Sequence, residues 1–100
     1  MQFRIHAPWE VNTYLSEIIK EKLNKLEHFF SSIQHADVFL AKTDNHQHSD
    51  NKNLEIRLKI PGATLFAEAR EESFEKGAAE CYDKLKVQLI RLKEKRAERY

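Results

Sequence analysis

Hydrophobic side chains recur along this chain in two rhythms, and the switches between them divide it into six segments. Gln2-Phe3-Arg4-Ile5-His6 alternates polar and apolar positions, which predicts a short half-buried strand ended by Pro8. Leu15, Ile18, Ile19, Leu23, Leu26 and Phe30 then follow at steps of three and four, the signature of an amphipathic helix that Asn12 or Thr13 caps. Ser31-Ser32 breaks that pattern. From Ala36 to Lys42 the period returns to two, with Val38 and Leu40 on one side and Asp37, Phe39 and Ala41 on the other.

Residues 43–53 offer no apolar anchor and predict a mobile hairpin loop. Leu54, Ile56, Leu58 and Ile60 alternate with Glu55, Arg57 and Lys59 in the clearest strand pattern of the chain. Pro61-Gly62 predicts a tight turn, and the stretch from Thr64 to Arg70 resumes the alternation as the second arm of a hairpin. Finally Ser73 caps a long helix whose stripe is Phe74, Ala78, Cys81, Tyr82, Leu85, Leu89 and Leu92, with a frayed tail over 96–100. Gly77 inside this helix costs about 1 kcal/mol relative to alanine and lets another backbone come close.

The order is βαβββα. Hairpins need few connecting residues, whereas the first strand reaches the sheet through a helical crossover. The economical solution is an α+β fold in which a four-stranded sheet carries both helices on one face. The chain has 100 residues, within the range of one domain, and shows no repeat or linker that divides it, so residues 1–100 are expected to form a single domain. The opposite sheet face is expected to show Glu55, Arg57, Lys59, Phe66 and Glu68 to solvent.

Composition removes several functional classes. With a single cysteine, Cys81, neither an internal disulfide nor a multi-cysteine zinc site is available, which fits a reducing cytoplasm. No stretch approaches the roughly 20 apolar residues of a membrane span, so no membrane partner is expected. Cys81 falls on the core stripe, where a thiol is usually inert. No phosphate-binding glycine loop, serine nucleophile motif or carboxylate pair is visible, so neither catalysis, nor a cofactor, nor a small-molecule substrate is expected. His46 and His48, with Asp44 and Asp50, suit a divalent ion only weakly and read better as an ordinary polar loop.

Charge is informative in its distribution. The formal net charge is only +1, but residues 84–99 hold seven basic residues against two acidic ones. Lys84, Gln88, Arg91 and Lys95 share one helical face, while Lys22 and Lys25 are neighbours on the first helix. If the helices lie side by side, these two rows border a common groove able to neutralise phosphates; the alternative is a pair of solvated helix faces. Trp9 and Phe29-Phe30 either stack bases or close a core edge.

Several blocks carry a resemblance. Glu21-Lys22-Leu23-Asn24-Lys25-Leu26, Val38-Phe39-Leu40, Pro61-Gly62 with Leu65-Phe66-Ala67, Ser73-Phe74-Glu75 and the run from Asp83 to Leu89 are collinear with the short form of the ribosome hibernation-promoting factors, also called ribosome-associated inhibitors. The resemblance implies a βαβββα fold similar to a double-stranded-RNA-binding domain. It also implies a translation inhibitor that occupies the small ribosomal subunit near the decoding centre and blocks messenger and transfer RNA sites under stress or in stationary phase. Lys22, Lys25, Lys84, Gln88 and Arg91 match family positions that meet ribosomal RNA, and helical spacing adds Lys95 to that row. A separate small ribosome-pairing factor is a further possible partner. Two other readings stay open: a general double-stranded-RNA-binding module, and a protein-interaction domain that uses the exposed sheet face.

Overall fold

The computed structural model describes residues 1–43 and 51–97. The elements follow the expected order: β1 (Gln2–His6), α1 (Thr13–Phe29), β2 (His35–Lys42), β3 (Lys52–Ile60), β4 (Ala63–Glu71) and α2 (Phe74–Ala97). The strands form one sheet in the order β1-β2-β3-β4. β1 runs parallel to β2, which the α1 crossover permits, and the other two pairings are antiparallel.

Both helices begin where side-chain oxygens are available for free backbone N–H groups. Asn12 Oδ1 accepts from Leu15 N at 2.8 Å, so Asn12 rather than Thr13 is the cap, and Ser73 Oγ accepts from Lys76 N at 3.2 Å. The β3–β4 turn is Pro61-Gly62. Gly62 has φ +83°, the left-handed backbone that this tight connection needs and that glycine adopts without a steric penalty.

Both helices cover one sheet face. Leu15, Ile19, Leu23 and Leu26 of α1 and Ala78, Cys81, Leu85 and Leu89 of α2 share a core with Val38, Leu40, Leu54, Ile56, Leu58 and Ile60 of the sheet. No described side chain in this core is polar or charged. Gly77 does admit a close neighbour, but that neighbour is a side chain rather than a backbone: a Cβ placed there would lie 3.3 Å from Leu54 Cβ.

Boundaries differ from the sequence reading at the start of β3 and at the end of α2. Lys52 and Asn53, expected in the loop, pair with Lys42 and Ala41, because backbone pairing continues past the last buried side chains. Thr43 N donates to Asn51 O at 3.0 Å, and residues 44–50 of the predicted loop, His46 and His48 among them, lie outside the described residues. α2 is helical to Ala97, past the start of the predicted tail at Arg96, whose guanidinium donates to Pro61 O at 3.0 Å and lies over the Phe30 ring; residues 98–100 are outside the described part. No described helix is long and apolar enough to cross a membrane.

Candidate nucleic-acid interface

The basic row of α2 lies along the free edge of the sheet. β4 is an edge strand, so alternate carbonyls point away from β3 and need other donors. Lys84 Nζ donates to Glu68 O at 2.8 Å and Gln88 Nε2 donates to Phe66 O at 3.0 Å. Lys84 also pairs with Glu80 at 3.2 Å. Arg91 and Lys95 continue the same flank and are exposed, with no hydrogen bond or ion pair among the described residues. From Lys84 to Lys95 the row spans about 16 Å at the helical rise of 1.5 Å per residue, long enough to meet several phosphates.

The two α1 lysines sit elsewhere. Lys22 Nζ lies 5.4 Å from the centre of the Tyr82 ring, at the seam between the helices, and Lys25 pairs with Glu21 at 3.6 Å. The α2 flank that faces α1 carries Tyr82 and Lys93, whose ammonium donates to Phe29 O at the end of α1 and lies 4.5 Å from the Phe29 ring centre. The two basic rows therefore do not line opposite walls of an interhelical groove. They form separate parts of the helical layer, with the seam between them closed by aromatic and cationic side chains. Helical spacing groups residues by face but leaves open which neighbour each face meets, so Lys93 and Arg96, both tied to backbone carbonyls, carried no distinguishing signal.

The six candidates are thus unequal in the freedom of their charges. Releasing Lys84 to a phosphate costs a hydrogen bond and an ion pair, whereas Arg91 and Lys95 have no partner to give up among the described residues. Trp9 closes a core edge: it packs on Phe74 at 5.7 Å between ring centres, and Lys42 Nζ lies 4.9 Å from it. Phe30 is buried and Phe29 lies beneath Lys93.

Two titratable groups are displaced from their ordinary range. Burial pushes the Cys81 thiol up to about 12, and its sulfur sits 3.6 Å from Leu54 O, so the thiolate needed for nucleophilic or metal chemistry is suppressed. On the opposite sheet face the hydrogen bond from His6 Nε2, at 2.9 Å, holds the Asp37 carboxyl below its usual value, with His35 adding to the effect at 3.4 Å. Among the described residues no group of three or more His, Cys, Asp or Glu side chains is arranged to hold a metal ion.

Residues 5–97 match the model of the family described as Sigma 54 modulation protein / S30EA ribosomal protein. Among solved structures, a ribosomal subunit interface protein from Coxiella burnetii is similar, with a TM-score of 0.79 at 21% identity, covering 94% of this chain and 99% of that one. The N-terminal domain of Thermus thermophilus Protein Y is also similar, with a TM-score of 0.72 at 18% identity over 91% of this chain and 94% of that one. At these identities the likeness speaks for the fold. No curated protein matches the chain.

Proposed function

The chain belongs to the Sigma 54 modulation protein / S30EA ribosomal protein family, and from that membership we propose that it is a ribosome-binding hibernation factor acting on the small subunit. This agrees with the resemblance of its sequence to the ribosome hibernation-promoting factors. In this reading the protein works in the cytoplasm under stress or in stationary phase. It occupies the region of the decoding centre, through ribosomal RNA, and excludes messenger and transfer RNA by occupancy. No turnover is involved.

The observation that carries the RNA-binding part is the exposed pair Arg91 and Lys95, without a partner among the described residues, at the end of the row begun by Lys84 and Gln88. An arginine fork and a lysine point charge on a rigid helix suit phosphate oxygens, and the bulk of the binding free energy then comes from counterion release. Lys22 and Lys25 supply a second point of contact one helix away. A separate small pairing factor, where one is present, would act on ribosomes already held in this state.

The test is co-sedimentation of the protein with purified small subunits, large subunits and a generic RNA duplex across a salt series, beside the Arg91→Ala/Lys95→Ala variant. The expected result is salt-sensitive pelleting with small subunits that the double change weakens strongly. Equal affinity for the free duplex would favour a general double-stranded-RNA module that reads A-form shape. Absence of pelleting at low salt would overturn the ribosomal reading.

A further inference from the structure

The sheet face that carries no helix holds a stripe of flat side chains that the core does not require. In the register of the sheet, His6, Phe39, Glu55 and Glu68 form one cross-strand row, and Arg4, Asp37, Arg57 and Phe66 form the next. Four planar groups, one from each strand, run obliquely across these rows: His6, Phe39, Arg57 and Phe66. The His6 and Phe39 rings stack at 4.7 Å with 13° between their planes, and the Arg57 guanidinium lies 4.9 Å from the Phe39 ring centre. Carboxylates fix two of these planes. Asp37 Oδ1 accepts from His6 Nε2 at 2.9 Å, and Glu55 Oε1 accepts from Arg57 Nε at 2.6 Å.

Phe66 ends the stripe beside Arg57 and is 62% exposed, although it sits on a regular strand whose neighbours Ala67 and Ala69 are buried. What marks Phe66 is its place at the end of a continuous stripe of oriented planes rimmed by charge, the kind of surface a flat ligand uses. The surrounding charge has a direction. Arg4 lies in the Phe66 row, where its charge also acts on the neighbouring Asp37 carboxylate, and Lys59 lies in the row beyond, with His35; the Lys59 side chain has no hydrogen bond or ion pair among the described residues. On the opposite side of the stripe stand Glu55 and Glu68, directly across from each other. A flat ligand with an anionic backbone is drawn to one side and repelled from the other.

We propose that this open sheet face is a second RNA-binding surface, which takes unpaired bases of a single-stranded segment on Phe66 and Arg57 and its phosphates beside Arg4 and Lys59. Aromatic and guanidinium planes on an open four-stranded sheet accept any base by stacking but cannot reach bases enclosed in a duplex, so the surface selects single strands. The stripe lies on the opposite face of the sheet from the helix row, which meets β4 through backbone carbonyls, Gln88 on Phe66 O and Lys84 on Glu68 O.

The test is an amide NMR and fluorescence-anisotropy titration of the folded protein with labelled single-stranded hexa-adenylate, and with a labelled GC-rich RNA duplex long enough to stay paired. Phe66→Leu keeps an apolar side chain of similar bulk but removes the π face, and Phe66→Trp keeps it. The expected result is binding of the single strand with shifts on Arg4, Arg57, Lys59 and Phe66. Phe66→Leu should weaken it by roughly 5- to 150-fold, the range of one lost base–aromatic stack. Phe66→Trp should bind as wild type, and Arg91→Ala/Lys95→Ala should leave the shifts on Arg57 and Phe66 in place, which separates this surface from the helix row and from the ribosomal reading. No binding of the single strand, equal binding of the duplex, or a Phe66→Leu variant that binds as wild type would overturn the proposal.

Discussion

Lys84 and Arg91 share one helix flank yet should behave in opposite ways when removed. Lys84 and Gln88 each donate to a carbonyl on the open edge of β4, while Arg91 has no partner among the described residues. Both hydrogen bonds are solvent-accessible, so each contributes near the low end of the usual net range, about 0.5 kcal/mol. The Lys84→Ala/Gln88→Ala variant should therefore lose about 1 kcal/mol, equivalent to a Tm lower by roughly 4–8 °C for a domain of this size. It should also expose two edge carbonyls to a neighbouring molecule and raise self-association. Arg91→Ala, an unpartnered surface change, should stay within about 0.5 kcal/mol of wild type.

RNA affinity should rank the other way. Removing the Arg91 contact forfeits a charge-assisted hydrogen bond worth roughly 1.5–3 kcal/mol, at least tenfold in Kd, and lowers the salt slope by nearly one. Lys84→Ala loses less, because in the wild type the bond to Glu68 O and the pair with Glu80 must first be given up. Thermal melts, sedimentation velocity and small-subunit binding in a salt series on the same variants measure each term. The reasoning is refuted if Arg91→Ala melts as low as the Lys84→Ala/Gln88→Ala variant, or if it binds subunits as tightly as wild type.

Three further outcomes follow from single contacts. Asp37 is held below its usual value by His6, so its contribution to stability is complete above the unfolded carboxylate range near pH 4 and is lost as pH falls through the lower folded value; Asp37→Asn should flatten that acid limb of the Tm–pH profile. With its thiol pushed up to about 12 and buried, Cys81 should resist iodoacetamide at pH 8 in the native protein and react fully in denaturant; rapid native labelling would contradict its place in the core. Gly77→Ala should not deliver the usual helix-propensity gain of about 1 kcal/mol, because the new Cβ meets Leu54 Cβ at 3.3 Å and that atom is fixed to a central strand; a Tm rise of several degrees would refute this.

The sequence reading succeeded where one residue pattern answers to one environment. Leu54, Ile56, Leu58 and Ile60 alternate because one side of β3 is buried, and the stripe from Phe74 to Leu89 repeats because one side of α2 lies on the sheet. Asn12, Ser73 and Gly62 were legible as cap and turn residues, since their chemistry is local. The start of β3 was not, because Lys52 and Asn53 are held by backbone pairing with Lys42 and Ala41 and bury too little to imprint a pattern. The same limit applied to the candidate site. Lys84, Gln88, Arg91 and Lys95 were visible as one face, but the meeting of Lys84 and Gln88 with the β4 edge depends on where α2 sits over the sheet. His6, Phe39, Arg57 and Phe66 are distant in sequence and become neighbours only through strand register.

The central claim is that this protein and the decoding ligands compete for one place on the small subunit. Its most direct test is equilibrium binding of the labelled protein to purified small subunits, alone and preloaded with messenger and transfer RNA. The account predicts mutual exclusion: preloading suppresses binding, excess protein releases transfer RNA, and Arg91→Ala/Lys95→Ala does neither. A stable complex holding the protein, messenger and transfer RNA together on one subunit would contradict it.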